Sequence, residues 1–296
     1  MGRMRREVAG MCAVFRRGVT LTRRMRLRTL AREVVDGFEP NDLLTYASAI
    51  AFQILTAIVP FLLFLLGLLG LFSLDEVWRT DLGPEIEPHV SRPVFSLFDN
   101  TADKVLHERQ VFWISAGFLI ALWQVSGAVR AVMGALDGIY GTERHRSARE
   151  RYTLSIVLAI AVGLLLVLAF SIVRFVPILL DDSNGLLAAG EFLLRWGVAA
   201  ALLALAVGLL VHYAPGVNRP LPWVTFGAGL VIAGWVGMSI GFGVYLTEVA
   251  DYDSIFGHLA TVIVLMAYLY AAAVVFVAGA QIDACVRSGV GQPAEI

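Results

Sequence analysis

Residues 46–72 read Tyr46-Ala-Ser-Ala-Ile-Ala-Phe-Gln-Ile-Leu-Thr-Ala-Ile-Val-Pro-Phe-Leu-Leu-Phe-Leu-Leu-Gly-Leu-Leu-Gly-Leu-Phe72, without one charged side chain. A helix needs about 20 mostly apolar residues to cross a hydrocarbon core roughly 30 Å thick. This stretch meets that need. Five more follow at about 111–133, 152–175, 191–213, 223–247 and 255–283, and the fourth holds an unbroken apolar run from Trp196 to Val211. Backbone groups in lipid must be paired within the chain, so the spans are expected to be helices. No alternating ten-residue barrel pattern occurs. The expected class is an all-α polytopic membrane protein with six transmembrane helices.

Composition agrees with that reading. Of 296 residues, 58% are hydrophobic and 16% charged, and the mean hydropathy is +0.75. Soluble domains carry about 25% charged residues. Disorder, collagen and a disulfide scaffold are excluded, and an ordinary soluble enzyme is disfavoured. The net charge of -1 says nothing of partners.

The distribution of charge says more. Arg3, Arg5, Arg6, Arg16, Arg17, Arg23, Arg24, Arg26, Arg28 and Arg32 crowd the start of the chain. Such a run can bind nucleic acid or anionic lipid; just before a span it reads as a positive-inside anchor. Anionic headgroups are its expected partner, and no nucleic acid is expected. The spacing of Val8, Met11, Phe15 and Val19, repeated by Leu27, Leu30 and Val34, gives a helix an apolar stripe for the membrane surface. No cleavable leader pattern precedes residue 45, so 1–41 is read as a basic cytoplasmic segment of the mature protein. Residues 42–287 form the membrane domain and 288–296 a tail.

Arg144, Arg146, Arg149 and Arg151 lie between the second and third spans, Arg219 between the fourth and fifth, and Arg287 in the tail. The opposite connections are acidic: Asp181 and Asp182, then Glu248, Asp251 and Asp253. Both termini are therefore expected in the cytoplasm, and an even number of spans agrees. Residues 73–110 form a long outer loop with Pro84, Pro88 and Pro93 and an expected helix from Val94 to Leu106. A loop of that length is either functional or a cap on the outer face.

Polar residues within spans are the first site candidates, since lipid makes them costly. Ser48, Gln53, Thr56 and Pro60 share a broad face of the first span, and Pro60 frees the Thr56 carbonyl and predicts a kink. Gln124, Ser126 and Arg130 continue this substrate path on the second span. Arg130, Asp137, Gln281 and Asp283 form a second expected group, a polar cluster at the cytoplasmic end, with Arg130 paired to Asp283 or Asp137. Arg174 and Arg195 read as interface anchors. Gly227, Gly234, Gly237 and Gly241 predict a helix-packing groove on the fifth span.

Enzyme signatures are missing. His89, His107, His145, His212 and His258 are scattered, and no HExxH, CxxC, GxSxG or Walker pattern occurs. Cys12 and Cys285 fall on the expected cytoplasmic side and suggest neither disulfide nor metal. No metal, no cofactor and no catalytic residue is expected.

Three stretches together resemble the YihY/BrkB family: Ala47 to Pro60, Leu122-Trp-Gln-Val-Ser-Gly-Ala-Val-Arg130 running to Gly141, and Tyr252-Asp-Ser-Ile-Phe-Gly257 with Tyr268-Leu-Tyr270 and Gly279-Ala-Gln-Ile-Asp-Ala284. The resemblance spans about residues 38–287. Gln281 stands where the family has Glu, Asp137 and Asp283 where it has Asn, and Tyr268 where it has Trp. The resemblance implies a bacterial inner-membrane protein with six spans. Some relatives are linked to serum resistance and others to export of lipid A precursors. The family once carried the label ribonuclease BN, which this chain does not support. The leading expectation is a transporter or flippase-like protein for an amphipathic, lipidic anionic substrate. The alternative is a structural or scaffolding membrane protein, and a membrane-associated ribonuclease ranks last. Homo-oligomerisation is left open.

Overall fold

The computed structural model describes residues 27–71, 77–82, 84, 96, 99–100, 102, 104–105, 110–141, 146–179, 186–216, 221–248 and 259–291. The Arg-rich stretch before Leu27, the acidic residues 181–182 and 249–253, Arg144, Arg219 and the Tyr252–Gly257 motif lie outside these residues, as does most of the expected helix from Val94 to Leu106. The helices are α1 (Leu27–Asp36), α2 (Leu43–Leu71), α3 (Gln110–Tyr140), α4 (Ala148–Leu179), α5 (Leu186–Tyr213), α6 (Leu221–Glu248) and α7 (Leu259–Gly291), with a short π-helical turn at Val77–Leu82. Helices α2 to α7 are long and apolar enough to cross a membrane, and no strand occurs among the described residues.

Most helices outrun the apolar segments that announce them. The second span continues past Met133 to Tyr140, because only a local stop signal ends a helix once it leaves lipid. That stop is Gly141, at φ 59°, whose N–H donates to the Gly138 carbonyl at 3.2 Å. Helix α4 starts at a capping box. The Ser147 N–H donates to Glu150 Oε2 at 3.2 Å, and the Glu150 N–H to Ser147 Oγ at 3.3 Å.

The six spans form a ring. Each packs on the next in sequence, and α7 closes on α2, with α1 resting on α7. The α2–α3 contact is the most extensive. Three glycines of α3 explain it. A Cβ at Gly117 would stand 2.7 Å from both the Pro60 carbonyl oxygen and the Phe64 nitrogen, and one at Gly127 would stand 2.7 Å from Gln53 Oε1. One at Gly134 would collide with the Tyr46 ring. Small residues let the two backbones approach where bulkier ones could not.

Packing along the bundle is uneven. In α4 the buried residues are Ser155, Leu158 and Ala159; in α5, Ala206, Val207 and Val211; in α6, Ala228 and Val231. In α7 they lie between Ala273 and Asp283. All of these belong to the half of the bundle nearest the α3–α4 connection. None of the described side chains is buried in 160–173, 190–205, 232–245 or 262–272. Among the described residues at that far end, α2 and α3 stay in close contact through Gly117. There Leu66 packs with Trp78, Ala102 and Val105 of the 73–110 segment, and the Trp78 indole donates to Asp99 Oδ1 at 3.1 Å.

Candidate functional site

Residues 126 and 127 are neighbours, yet they serve different helices, since adjacent positions diverge by about 100° around a helix. Gly127 meets Gln53 of α2. Ser126 is fully buried toward α4 and receives a hydrogen bond from Arg130 Nη1 at 2.9 Å. The same Nη1 donates to Ser155 Oγ of α4 at 3.3 Å. The Arg130 guanidinium carbon lies 4.5 Å from the centroid of the Tyr152 ring and 5.3 Å from that of Trp123. The two rings are stacked at 6.1 Å. The cation thus rests on aromatic faces, a favourable contact that grows as water is excluded. Trp123 is 59% and Tyr152 44% exposed, so the cradle sits on the outer flank of the α3–α4 pair.

Arg130 pairs with neither Asp137 nor Asp283, contrary to the sequence-based expectation. Asp137 Oδ1 accepts from the Gly216 N–H at 3.0 Å. Asp283 is buried on α7 and faces the Tyr140 hydroxyl at 3.5 Å, which also reaches the Ala280 carbonyl at 3.4 Å. Gln281 is buried against Gly37, where a Cβ would collide with its amide. Its Nε2 points to the Cys285 sulfur at 3.9 Å. The four residues are therefore divided between the α4 flank (Arg130), the α5–α6 connection (Asp137), the α3–α7 contact (Asp283) and the α1–α7 contact (Gln281).

The expected path residues are divided as well. Ser48 Oγ donates to the Leu44 carbonyl and Thr56 Oγ1 to the Phe52 carbonyl, each at 2.9 Å. These hydroxyls are satisfied by their own helix. Pro60 is buried within α2, and Gln124 is half-buried on α3. On α6, a Cβ at Gly234 would stand 2.6 Å from Val275 of α7, whereas one at Gly237 or Gly241 would meet no atom within 4 Å. The surroundings of Gly227 and Arg174 lie outside the described side chains. Arg195 is half-buried, with its guanidinium carbon 5.8 Å from the Phe192 ring centroid.

A cavity of about 400 Å³ opens beside the packed end of α2 and α3. Asn41, Asp42, Tyr46, Asp137, Arg146 and Arg151 contribute its polar lining. Arg146 is held in place by α5: Nη1 donates to the Ala214 carbonyl at 2.7 Å, and Nη2 to those of Tyr213 at 3.1 Å and Pro215 at 3.0 Å. A cation suits that helix C-terminus, where carbonyls lack partners. Arg151 Nη2 donates to the Arg130 carbonyl at 3.2 Å, so Arg151 links the cavity to the Arg130 cradle. Sequence reading missed Trp123, Tyr152, Ser155, Arg146 and Arg151 as site residues. Two signals were present: Ser126 and Arg130 four apart, and Tyr152 and Ser155 three apart.

Residues 34–294 match the family described as Virulence factor BrkB. The chain is similar to a protein named as ribonuclease-like, YfkH of Bacillus subtilis (strain 168), with 28% identity over 80% of this chain and 88% of that protein. It is also similar to UPF0761 membrane proteins of Verminephrobacter eiseniae (strain EF01-2), at 26% identity over 88% of this chain, and Delftia acidovorans (strain DSM 14801 / SPH-1), at 27% over 87%. The matches span 63% and 62% of those two longer proteins. No solved structure matches the chain.

Proposed function

The chain belongs to the virulence factor BrkB family, and on that premise we propose that it carries an amphipathic anionic substrate across a bacterial inner membrane. The observation that carries this reading is the uneven packing of the ring. One end is filled by a core drawn from all six spans, including Leu43, Met133, Leu158, Val211, Val231 and Val277. The far halves of α4 to α7 bury nothing among the described residues. A ring that, among the described residues, is densely packed at one end and loosely packed at the other suits a carrier, because access from both sides at once would leak. Arg130, on the closed half, supplies the attraction for an anion. The Arg-rich end faces the cytoplasm in this reading, since basic flanks are retained there.

The test is reconstitution. Purified protein in vesicles should speed the crossing of a fluorescently labelled phosphatidylglycerol from one leaflet to the other. Crossing no faster than in protein-free vesicles would defeat the reading. A scaffold without transport is the second reading. It is favoured by Ser48 and Thr56, whose hydroxyls bond only their own helix among the described residues, and it predicts that same negative result. We propose no enzymatic step; the ribonuclease-like name belongs to a relative 28% identical.

A further inference from the structure

We propose that the Arg130 cradle on the outer flank of α3 and α4 binds the oxyanion headgroup of an acyl lipid. This deepens the carrier reading, since it names the class of substrate and where it is first held. Arginine offers five N–H donors, and its Nε–Nη2 edge is the fork that grips a phosphate or carboxylate with two parallel bonds. Here Nη1 alone is engaged, by the hydroxyls of Ser126 and Ser155. Both serines are fully buried, so they anchor the group from beneath. Nε and Nη2 make no hydrogen bond among the described residues, and neither is among the buried polar atoms that lack a partner. The fork is therefore unengaged and not fully enclosed by the protein. No carboxylate among the described residues meets Arg130. The rings of Tyr152 and Trp123 fix the plane of the cation.

Depth decides the source of the anion. Arg130 lies three residues before Met133, where the apolar run of α3 ends, about 5 Å by helical rise. A cation at that level can reach the headgroup region. A lipid already holds its headgroup there beside the flank, so it meets the fork without leaving its own layer. Beyond Trp123 the exposed row continues through Leu119 to Phe112, away from Arg130. That row runs about 16 Å by helical rise, enough to lie beside an acyl chain.

The test uses the full chain in mild detergent, titrated with dioleoylphosphatidylglycerol, dioleoylglycerol or inorganic phosphate and followed by native mass spectrometry. The wild type should retain one phosphatidylglycerol with about tenfold or greater preference over dioleoylglycerol, which has the acyl chains without the oxyanion, the scale of a charge-assisted hydrogen bond. Arg130→Ala should abolish the preference, while Arg149→Ala, an exposed arginine outside the cradle, should keep it. Should Arg130→Ala fail to fold, Ser155→Ala and Trp123→Leu must each reduce the preference. Equal retention of both lipids by the wild type, or an undiminished preference in Arg130→Ala, overturns the proposal. Displacement of the lipid by millimolar phosphate would make the ligand a free oxyanion and overturn the lipid assignment. The two readings fail separately. Arg130-dependent retention without crossing in vesicles removes the carrier and keeps the site, whereas crossing with Arg130-independent retention does the reverse.

Discussion

Gly117→Ala tests the α2–α3 seam. The new Cβ would stand 2.7 Å from the Pro60 carbonyl oxygen, 2.7 Å from the Phe64 nitrogen and 3.1 Å from the Phe64 Cα. Comfortable carbon contacts lie at about 3.5–4.0 Å. All three neighbours are backbone, so no side chain can swing away and the helices must part. Overpacking of this kind costs about 1–3 kcal/mol. Replacing Gly by Ala within a helix returns about 1 kcal/mol. The net expectation is a loss of up to about 2 kcal/mol, the difference of those two terms. Gly237→Ala is the internal control, because its Cβ meets nothing within 4 Å, and only the helix-propensity gain should appear. Thermal unfolding in detergent, read by loss of the monodisperse chromatographic peak, should place Gly117→Ala below Gly237→Ala by about 2–12 °C, the overpacking cost at roughly 2–4 °C per kcal/mol. Equal midpoints would refute the claim that backbone contact at Gly117 sets the spacing of α2 and α3.

Arg146→Ala strips three carbonyls at the end of α5 of their donor and should lower stability by about 2–3 kcal/mol; Arg146→Lys, with one compact ammonium, should recover only part in the same assay. Ser147→Ala breaks the capping box of α4 and should cost about 1 kcal/mol, visible as a small fall in midpoint. Trp78→Phe keeps the apolar contact with Leu66 but removes the hydrogen bond to Asp99, so limited proteolysis within residues 73–110 should speed up while the spans stay intact.

The spans were legible because twenty apolar residues in a row have one use. Tyr46–Phe72 gave the first helix to within a few residues of Leu43–Leu71. The apolar spacing of Leu27, Leu30 and Val34 likewise announced α1. Helix ends were less legible, since a capping box such as Ser147 and Glu150, or a glycine such as Gly141, is a local event that apolar content does not mark. Partners were the least legible. That Ser126 turns to α4 and Gly127 to α2 depends on how α3 is rotated in the ring, and one sequence does not encode that visibly. Arg130 stood out as a charge within a span, near its expected cytoplasmic end. Its partners proved to be hydroxyls and aromatic rings of the next helix, because the carboxylates of Asp137 and Asp283 are engaged elsewhere. On α6, Gly234 packs on α7, whereas Gly237 and Gly241 open outward.

The most direct measurement is leaflet crossing of labelled phosphatidylglycerol in vesicles holding wild type, Arg130→Ala or Arg149→Ala at equal density. The account predicts fast crossing for the wild type and Arg149→Ala, and a fall of about tenfold or more for Arg130→Ala, the loss of one charge-assisted contact. Wild-type crossing no faster than in empty vesicles would contradict it.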